Sequence, residues 1–257
     1  MSSEQSVSNK RALVTGGASG FGRAIASRLT RSGAQVVILD RNDDAARATV
    51  EAEGLAGHVV VDLAVPEQVE PAVATAIAEL GGLELLVNNA GIEIHGDVLQ
   101  TTFEQWQQTF AVNTNAVFLV SKAALPTLLA TGEAAIVNIA SDAGLIGEPG
   151  LDAYVASKHA VVGLTKCMAL AWGAKGLRVN VVCPGMAKTP LTALKSQELI
   201  DAYEALVPMR RLGEPEEIAR SVEFLLSPAA SYVNGVALVV DGGGMAGNYF
   251  SDEDIRD

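Results

Sequence analysis

ALVTGGASGFG, residues 12–22, sets the architecture of the whole chain. An apolar run is followed here by a glycine-rich turn, and an amphipathic helical pattern then continues from Arg23 to Ser32. Strand, glycine turn and helix in this order form the context that a dinucleotide-binding fingerprint requires. Glycines let the backbone approach a pyrophosphate, and a helix N-terminus offers unbonded N–H groups and a positive dipole end. A plain tight turn is the simpler alternative.

Apolar runs and helical patterns alternate along the rest of the chain. Seven strands are predicted, at residues 12–14, 35–39, 58–61, 83–87, 134–139, 177–182 and 236–240. Strands that alternate with helices indicate an α/β fold, here a Rossmann-type doubly wound parallel sheet of about seven strands with helices on both faces. Right-handed crossovers predict the strand order 3-2-1-4-5-6-7. Residues 189–211 carry the least regular pattern.

No linker, repeat or low-complexity segment interrupts this alternation. We therefore expect a single dinucleotide-binding catalytic domain at residues 10–243, between a flexible leader at residues 1–9 and an acidic C-terminal tail at residues 244–257. The leader lacks the apolar segment of a signal peptide, and no apolar run reaches the length of a membrane span. The tail is expected either to be disordered or to reach across an oligomer.

The charge of the chain excludes two classes of partner. The 257 residues carry a net charge of −12 with no compensating cluster of Lys or Arg, so neither nucleic acid nor an anionic membrane is expected to bind. Cys167 and Cys183 have neither CxxC spacing nor a His in metal spacing. We expect two reduced core thiols in a cytoplasmic protein and no metal site.

Two acidic residues close predicted strands. Asp40 ends the second strand, twenty residues past Gly20, where a carboxylate grips the ribose hydroxyls of NAD. Capping of the next helix is the competing role, although Asp43 serves it better. Asp62 follows the third strand, and it either accepts from an adenine amino group or forms a turn before Pro66.

Amide side chains supply further candidates. Asn88-Asn89-Ala90-Gly91 follows the fourth strand, and it either cross-links neighbouring strands or holds a cofactor ribose. Asn113 lies inside the helical pattern of residues 103–129, where asparagine is a mediocre residue. Its position needs a local reason, such as a kink or a bound water.

The chemistry is predicted from Tyr154 and Lys158. Residues four apart on a helix lie one turn apart on the same face. A phenol is a poor base at neutral pH, and a close ammonium brings its pKa towards the range of a general acid/base. Ser141, thirteen residues before the tyrosine, adds a hydroxyl that can hold the reacting oxygen. Alone, a Tyr-x-x-x-Lys spacing is a weak signal.

Taken together, the order and spacing of these motifs resemble the short-chain dehydrogenase/reductase family over residues 10–243. The matching positions are TGGASGFG (15–22), Asp62, NNAG (88–91), Asn113, Ser141, YVASK (154–158) and PGMAKT (184–189). The resemblance implies that Tyr154 is the proton donor or acceptor and that Ser141 orients the substrate oxygen. It also implies that Lys158 holds the nicotinamide ribose and lowers the pKa of Tyr154, and that Asn113 helps to anchor a proton-relaying water.

The same resemblance implies the binding residues. The cofactor set is Gly16, Ser19, Phe21, Gly22, Asp40, Arg41, Asp62, Leu63, Asn89, Ala90, Gly91, Tyr154, Lys158, Pro184, Gly185, Ala187 and Thr189. The substrate-lining set is Glu93, His95, Ser141, Ala143, Glu148 and Met186. Family members are usually tetramers or dimers, so a homo-oligomer is expected, with a homotetramer favoured.

We therefore predict an NAD-dependent oxidoreductase that interconverts a small-molecule secondary alcohol and a ketone by hydride transfer, with a Ser-Tyr-Lys-Asn catalytic set. A non-catalytic NAD-binding sensor or scaffold on the same fold is the alternative. The glycine spacing disfavours a sugar-nucleotide epimerase, and the Tyr–Lys spacing disfavours an enoyl reductase. NAD is expected over NADP because Asp40 occupies the phosphate position and Ser19 stands where NADP-preferring relatives often carry Arg. The substrate stays open among a cyclic alcohol, a steroid, a sugar and a short hydroxy compound.

Overall fold

The computed structural model describes residues 7–247, in which strands and helices alternate. The strands are β1 (Arg11–Thr15), β2 (Gln35–Asp40), β3 (Gly57–Val60), β4 (Leu85–Asn88), β5 (Ala134–Ile139), β6 (Leu177–Pro184) and β7 (Ala237–Val240). The α-helices are α1 (Gly20–Arg31), α2 (Asp43–Glu53), α3 (Pro66–Leu80), α4 (Phe103–Phe110), α5 (Ala116–Ala130), α6 (Asp152–Trp172), α7 (Gln197–Leu206) and α8 (Pro215–Leu226). All seven predicted strands are present, with ends that differ from the predicted ones by at most two residues.

The strands form one parallel sheet in the order β3-β2-β1-β4-β5-β6-β7. Both the predicted fold class and the predicted strand order are confirmed. In β1, Val14 lies opposite Ile38 of β2 on one side and Val87 of β4 on the other. The winding of the chain reverses between β1 and β4, and open α/β sheets bind ligands in the crevice at such a point.

Helices cover both faces of the sheet because successive side chains of a strand point to opposite sides. Val14 belongs to a buried cluster with Ile25 of α1 and Leu225 of α8. Its neighbour Leu13 belongs to a second cluster, which includes Val73 of α3. Burying an aliphatic side chain of this size contributes about 1.5–3 kcal/mol, so the two clusters hold the strand ends in place.

The folded domain starts before its predicted boundary. Val7 is only 1% exposed and lies in the core, and the backbone N–H of Asn9 donates to the carbonyl oxygen of Gly33 at 2.9 Å. Residues 7–9 therefore belong to the domain and not to a flexible leader. Residues 1–6 lie outside the described residues.

The start of the predicted tail forms a turn on the end of β7. The carboxylate of Asp241 accepts hydrogen bonds from the backbone N–H groups of Gly243, at 2.8 Å, and Met245, at 2.6 Å. The remainder of the predicted tail, residues 248–257, lies outside the described residues.

The segment predicted to be irregular contains the ten-residue helix α7 and a short 3₁₀ turn at Thr192–Leu194. No residue of α7 is buried. The prediction of an irregular segment is therefore wrong for residues 197–206.

The two cysteines have different environments. Cys183 is buried in β6, whereas Cys167 is exposed on α6, which corrects the prediction of two core thiols. Within residues 7–247, no group of three His, Cys, Asp or Glu side chains is arranged to hold a metal ion. The same residues include no helix long and apolar enough to cross a membrane.

A wide turn separates α4 from α5. The backbone at Ala111–Asn115 is π-helical, a conformation that places one extra residue in a turn. Asn113 lies within it and is 1% exposed. The local distortion expected at this asparagine is therefore observed.

Candidate active site

The glycine turn lies against the loop that follows β4. Gly16 has a φ of +63°, and a Cβ at this position would lie 2.9 Å from the Cα of Ala90. A side chain would be both strained and crowded there. The bare backbone of the turn lines a cleft of about 330 Å³ at the carboxyl ends of the strands.

Gly22 has a role different from the predicted one. A Cβ at Gly22 would lie 2.0 Å from the carbonyl oxygen of Gly16 and 2.5 Å from the side-chain nitrogen of Asn89. This glycine therefore allows α1 to approach the turn closely, and it is buried behind the wall of the cleft. Ser19 and Phe21 line the cleft together with Gly16.

The N-terminus of α1 opens into this cleft. Ser19 is the N-cap residue, but its side chain makes no capping hydrogen bond, so it leaves the first N–H groups of the helix available. Helix ends of this kind bind phosphate oxygens. The cleft therefore fits the pyrophosphate of a nicotinamide dinucleotide, and Gly16, Ser19 and Phe21 are the residues that would hold it.

Asp40 fixes the backbone while it lines the cleft. Its two carboxylate oxygens accept hydrogen bonds from the N–H groups of Ala18 and Asn42, each at 3.0 Å. Arg41 lies beside it in the cleft wall. The N-cap of α2 is Asn42, and not Asp43 as expected.

Asp62 forms the turn that one of its two alternatives predicts, while its contact with an adenine stays a prediction. Its Oδ1 accepts a hydrogen bond from the N–H of Ala64 at 2.9 Å. Asp62 and Leu63 also line the cleft, so the turn holds both residues where an adenine would lie.

The amides after β4 cross-link neighbouring elements. Asn88 donates to the side chains of Ser121, at 3.0 Å, and Asn138, at 2.8 Å. Asn89 donates from its side chain to the carbonyl oxygens of Thr15, at 3.0 Å, and Gly16, at 3.1 Å. The cross-linking alternative is therefore observed, and it positions Asn89, Ala90 and Gly91 in the cleft wall.

The first turns of α6 present Tyr154 and Lys158 on one face. The Nζ of Lys158 lies 5.6 Å from the centroid of the Tyr154 ring and donates to the carbonyl oxygen of Ile139, the last residue of β5, at 3.0 Å. Ser141 follows β5 and lines the same pocket as Tyr154. The structure thus brings the three predicted catalytic side chains together.

The pKa of Tyr154 is shifted in the direction opposite to the predicted one. Burial raises the pKa of Tyr154 well above its usual range, and the carboxylates of Glu93, Asp142 and Glu148 raise it further. Burial also lowers the pKa of Lys158 to about 8. Desolvation penalises both charged forms, so in the protein alone the lysine does not bring the tyrosine pKa towards neutrality. Tyr154 is a neutral phenol at pH 7.

The π-helical turn directs Asn113 towards the loop after β4. Its Oδ1 accepts from the N–H of Ile92 at 2.8 Å, and its Nδ2 donates to the carbonyl of Ile92, at 2.9 Å, and the hydroxyl of Ser157, at 3.0 Å. The amide is satisfied by these protein partners, and it joins the loop to α6 beside Lys158. Its role in anchoring a water stays a prediction.

A smaller pocket of about 110 Å³, here called the substrate pocket, adjoins the cleft. Four predicted residues line it, namely Glu93, Ser141, Glu148 and Met186. Two do not. Ala143 is buried at 1% exposure, whereas the side chain of His95 is 66% exposed and is paired from outside with Glu93 at 2.9 Å.

Three residues predicted to bind the cofactor line the substrate pocket instead of the cleft: Pro184, Gly185 and Ala187. Thr189 and Tyr154 line both spaces. Tyr154 therefore lies where the two spaces meet.

The irregular segment supplies Lys195 and Tyr203 to the substrate pocket, two residues that the sequence did not single out individually. Lys195 pairs with Glu93 at 2.8 Å, and the hydroxyl of Tyr203 accepts from the N–H of Met186 at 2.7 Å. A Cβ at Gly185 would lie 2.4 Å from that hydroxyl. These partners are 102 and 17 residues apart in sequence, so no local pattern signals either contact.

A family model described as "Enoyl-(Acyl carrier protein) reductase" matches residues 16–244. The match spans the glycine turn, the cleft and the substrate pocket. The chain belongs to the short-chain dehydrogenase/reductase family. The resemblance predicted from the sequence is thereby confirmed.

Relatives of this short-chain dehydrogenase/reductase extend the match over nearly its whole length. A cyclohexanol dehydrogenase from Acinetobacter sp. (strain SE19) is 45% identical over 91% of this chain and 94% of its own. A solved structure described as a short-chain alcohol dehydrogenase from Sinorhizobium meliloti 1021 is 31% identical with a TM-score of 0.90, over 95% of this chain and 99% of its own. Another, described as an NAD(P)-dependent gluconate 5-dehydrogenase from Beutenbergia cavernae with NADP bound at low occupancy, is 36% identical with a TM-score of 0.89, over 95% and 100%.

Proposed function

We propose that this short-chain dehydrogenase/reductase interconverts a secondary alcohol and a ketone, with NAD as the hydride carrier. The observation that carries the proposal is the position of Tyr154, which lines both the dinucleotide cleft and the substrate pocket. A proton donor at this junction could reach a substrate oxygen in one space and a cofactor in the other.

The relatives support alcohol chemistry over enoyl reduction. The description of the family model names an enoyl reductase, but the relatives reported above are named for alcohol dehydrogenation. The three-residue interval between Tyr154 and Lys158 agrees with that activity.

The residues of the chain handle the proton, while a bound nicotinamide dinucleotide supplies the transfer of hydride to or from carbon. In ketone reduction, Tyr154 donates its phenolic proton to the substrate oxygen, and in alcohol oxidation it accepts that proton. Ser141 would hold the same oxygen. Its single O–H donates to Asp142 at 2.8 Å in the protein alone, so it would have to turn from Asp142 to donate to a ketone oxygen. Lys158 uses one N–H for Ile139, which leaves further donors for a ribose hydroxyl.

The test is NADH formation across a panel of secondary alcohols, with the matching ketones assayed in reverse. Turnover of an alcohol that stops in Tyr154→Phe supports the proposal. NAD binding without turnover of any alcohol or ketone would instead support the non-catalytic sensor.

The choice of cofactor rests on Asp40 in the cleft wall. A carboxylate there accepts hydrogen bonds from ribose hydroxyls, and it repels the 2′-phosphate of NADP. Arg41 is the competing influence, since a guanidinium binds phosphate. Ser19 adds no second cation, so we expect at least a tenfold preference for NAD, which requires only about 1.4 kcal/mol.

Comparison of kcat/KM for NAD and NADP decides this point. Asp40→Asn removes the charge and keeps one of the two acceptor oxygens for the backbone, so we expect improved use of NADP. Asp44→Asn, an exposed carboxylate outside the cleft wall, is the matched control. A wild-type preference for NADP would refute the assignment.

Three further expectations belong to this proposal. The catalytic unit is one domain, now taken to start by Val7 because that residue lies in the core. The protein is expected in the cytoplasm, where Cys167 and Cys183 would stay reduced. It is expected to act on a small molecule as a homo-oligomer, with a tetramer favoured.

A further inference from the structure

Ser141 and Asp142 form a hydrogen-bonded pair in the wall of the substrate pocket. The hydroxyl of Ser141 donates to Oδ1 of Asp142 at 2.8 Å. The same Oδ1 accepts from the backbone N–H of Ala143, also at 2.8 Å. Because an N–H can only donate, it holds Oδ1 as an acceptor, and the proton shared by the two side chains is that of Ser141.

This pairing decides what Ser141 can offer to a substrate. A serine hydroxyl has one O–H and two acceptor lone pairs. The O–H of Ser141 is used by Asp142, and one of its lone pairs accepts from the N–H of Ala143 at 3.3 Å. The group that remains for a substrate oxygen is a lone pair, which accepts a hydrogen bond but cannot donate one.

An alcohol and a ketone respond differently to such a group. Tyr154 lines the same pocket as a neutral phenol, so it can donate to the oxygen of either ligand. The O–H of an alcohol can then donate to Ser141, whereas a ketone oxygen has no proton to give. A ketone must either face the lone pair of Ser141 or draw its hydroxyl away from Asp142, and both costs weaken its binding.

We propose that Asp142 is a positioning residue that favours binding of the alcohol over the ketone, because it holds the O–H of Ser141. The inference rests on the proposed function, since it concerns the oxygen to which Tyr154 donates. It adds a residue that determines which of the two reactants occupies the site. The reactants alone fix the equilibrium constant of the reaction, so Asp142 acts on the two affinities and not on the ratio of kcat/KM in the two directions.

Complexes that cannot react measure these affinities. We titrate the NADH complex with cyclohexanol and the NAD complex with cyclohexanone, or with the alcohol and ketone that the NADH panel shows to be turned over fastest. Asp142→Ala frees the hydroxyl of Ser141 to donate, so the ketone should bind at least about tenfold more tightly than to wild type. A hydrogen bond to a charged group corresponds to about 10–100-fold in an equilibrium constant. The affinity for the alcohol should stay within about threefold, because Ser141 can still accept.

Further variants separate the hydrogen bond from the charge. Asp142→Asn keeps an acceptor oxygen, which the N–H of Ala143 holds in place, so it should keep most of the preference for the alcohol. Glu70→Ala removes an exposed carboxylate on α3 and should change neither affinity. The infrared carbonyl band of bound cyclohexanone should move to lower wavenumber in Asp142→Ala, because Ser141 then donates to the ketone oxygen.

Ser141→Ala shows whether Asp142 acts through the serine. In that background, Asp142→Ala should change the ratio of the two affinities by less than about twofold, because the hydroxyl that it orients is absent. Ser141→Ala alone should weaken binding of the alcohol more than binding of the ketone, since only the alcohol donates to Ser141. This result decides the matter if Asp142→Ala does not fold.

Three outcomes overturn the inference. Equal changes in the affinities for alcohol and ketone in Asp142→Ala, or in Ser141→Ala, would refute it while the proposed function stands. A shift in their ratio that persists without the serine hydroxyl would assign the effect to the charge of Asp142 and not to positioning. Absence of turnover with every alcohol and ketone, with NAD and NADP, would refute the inference and the proposed function together.

Discussion

At the scale of single residues, Tyr154 carries the proposed chemistry. Tyr154→Phe removes the hydroxyl and keeps the ring, so we expect kcat to fall by about 10²–10⁴-fold or more while the dissociation constant for NAD changes little. Steady-state kinetics and fluorescence titration measure the two quantities. Tyr232→Phe, at a fully exposed tyrosine, is the control and should keep wild-type kcat.

The raised pKa of Tyr154 also sets the direction of the pH dependence. Alcohol oxidation needs the phenolate, which burial disfavours, so its rate should rise as the pH rises through the alkaline range. Glu148→Gln removes a nearby negative charge that favours the neutral phenol, so its oxidation profile should move to lower pH. An unchanged or opposite profile would contradict this account of the tyrosine.

Lys158 is buried with its positive charge, which costs folding free energy. Its pKa is lowered from 10.5 to about 8, so at pH 7 the folded state holds a desolvated ammonium. We expect Lys158→Met to raise the free energy of unfolding at pH 7 by about 1–3 kcal/mol, and loss of the hydrogen bond to Ile139 offsets part of this gain. The variant should also lose most of its activity.

The pH dependence of stability checks that assignment. Between about pH 8 and 10.5 the unfolded lysine binds a proton that the folded one does not, so wild-type stability gains from this group as pH rises. The advantage of Lys158→Met in urea denaturation should therefore shrink at pH 10. A variant less stable than wild type at pH 7 would show that the hydrogen bond outweighs desolvation.

The roles of single residues could be predicted only where they depend on spacing along the sequence. The interval between Tyr154 and Lys158 placed both on one helical face, as observed. The direction of the tyrosine pKa could not be predicted, because it depends on burial and on Glu93 and Glu148, which come from separate loops. Asp40 had a predictable place in the cleft, but its bonds to Ala18 and Asn42 did not follow from sequence.

At the scale of elements, residues 189–208 form a segment beside the substrate pocket that is held by few contacts. Its anchors include the Lys195–Glu93 pair, the Tyr203–Met186 hydrogen bond and the bond from Thr192 to the carbonyl of Ala187 at 2.6 Å. Glu204 also accepts from the N–H of Leu212 at 3.1 Å, and Val207 is buried. Since α7 has no buried residue, local opening should require little free energy.

We expect hydrogen exchange in α7 to be fast in the protein alone and to slow when NAD and substrate bind, because closure shields the chemistry from water. Lys195→Met should accelerate exchange in the unliganded protein by roughly tenfold, as loss of about 1.4 kcal/mol would give. Lys166→Met, on exposed α6 surface, is the control. Equal protection with and without ligands would contradict the proposed closure.

Strands and helices could be predicted where burial gives the sequence a regular pattern of apolar residues. The runs of β1 and β5 are mainly apolar because helices cover both faces of the sheet. The helix α7 was missed although its apolar residues follow a helical period, and the N-cap of α2 was misplaced by one residue. The π-helical turn was signalled only indirectly, through an asparagine that a regular helix would not favour.

At the scale of the whole molecule, the strand order followed from handedness alone. Right-handed crossovers and one reversal between β1 and β4 leave few alternatives for seven parallel strands. The oligomeric state does not follow in this way, because it depends on surfaces that the buried pattern does not constrain.

We expect a homo-oligomer, with the helix that carries Tyr154 as part of the interface. Leu170 on that helix is 87% exposed, and an apolar side chain of this kind gains from burial against another subunit. Light scattering should give the mass of a tetramer, and Leu170→Glu should lower it. Leu170→Met keeps an apolar surface and should not. A monomeric wild type would contradict the expectation.

The wide turn at Ala111–Asn115 has a consequence for how this chain could change length. It amounts to one surplus residue, so deletion of Val112 would allow α4 and α5 to merge into one regular helix. The shortened chain should keep its sheet and its core. However, each α-helical residue turns by about 100°, so the merged helix would rotate Asn113 away from Ile92 and release the loop beside Lys158. Deletion of the surplus residue would therefore make the helix more regular, but it would disrupt the active site.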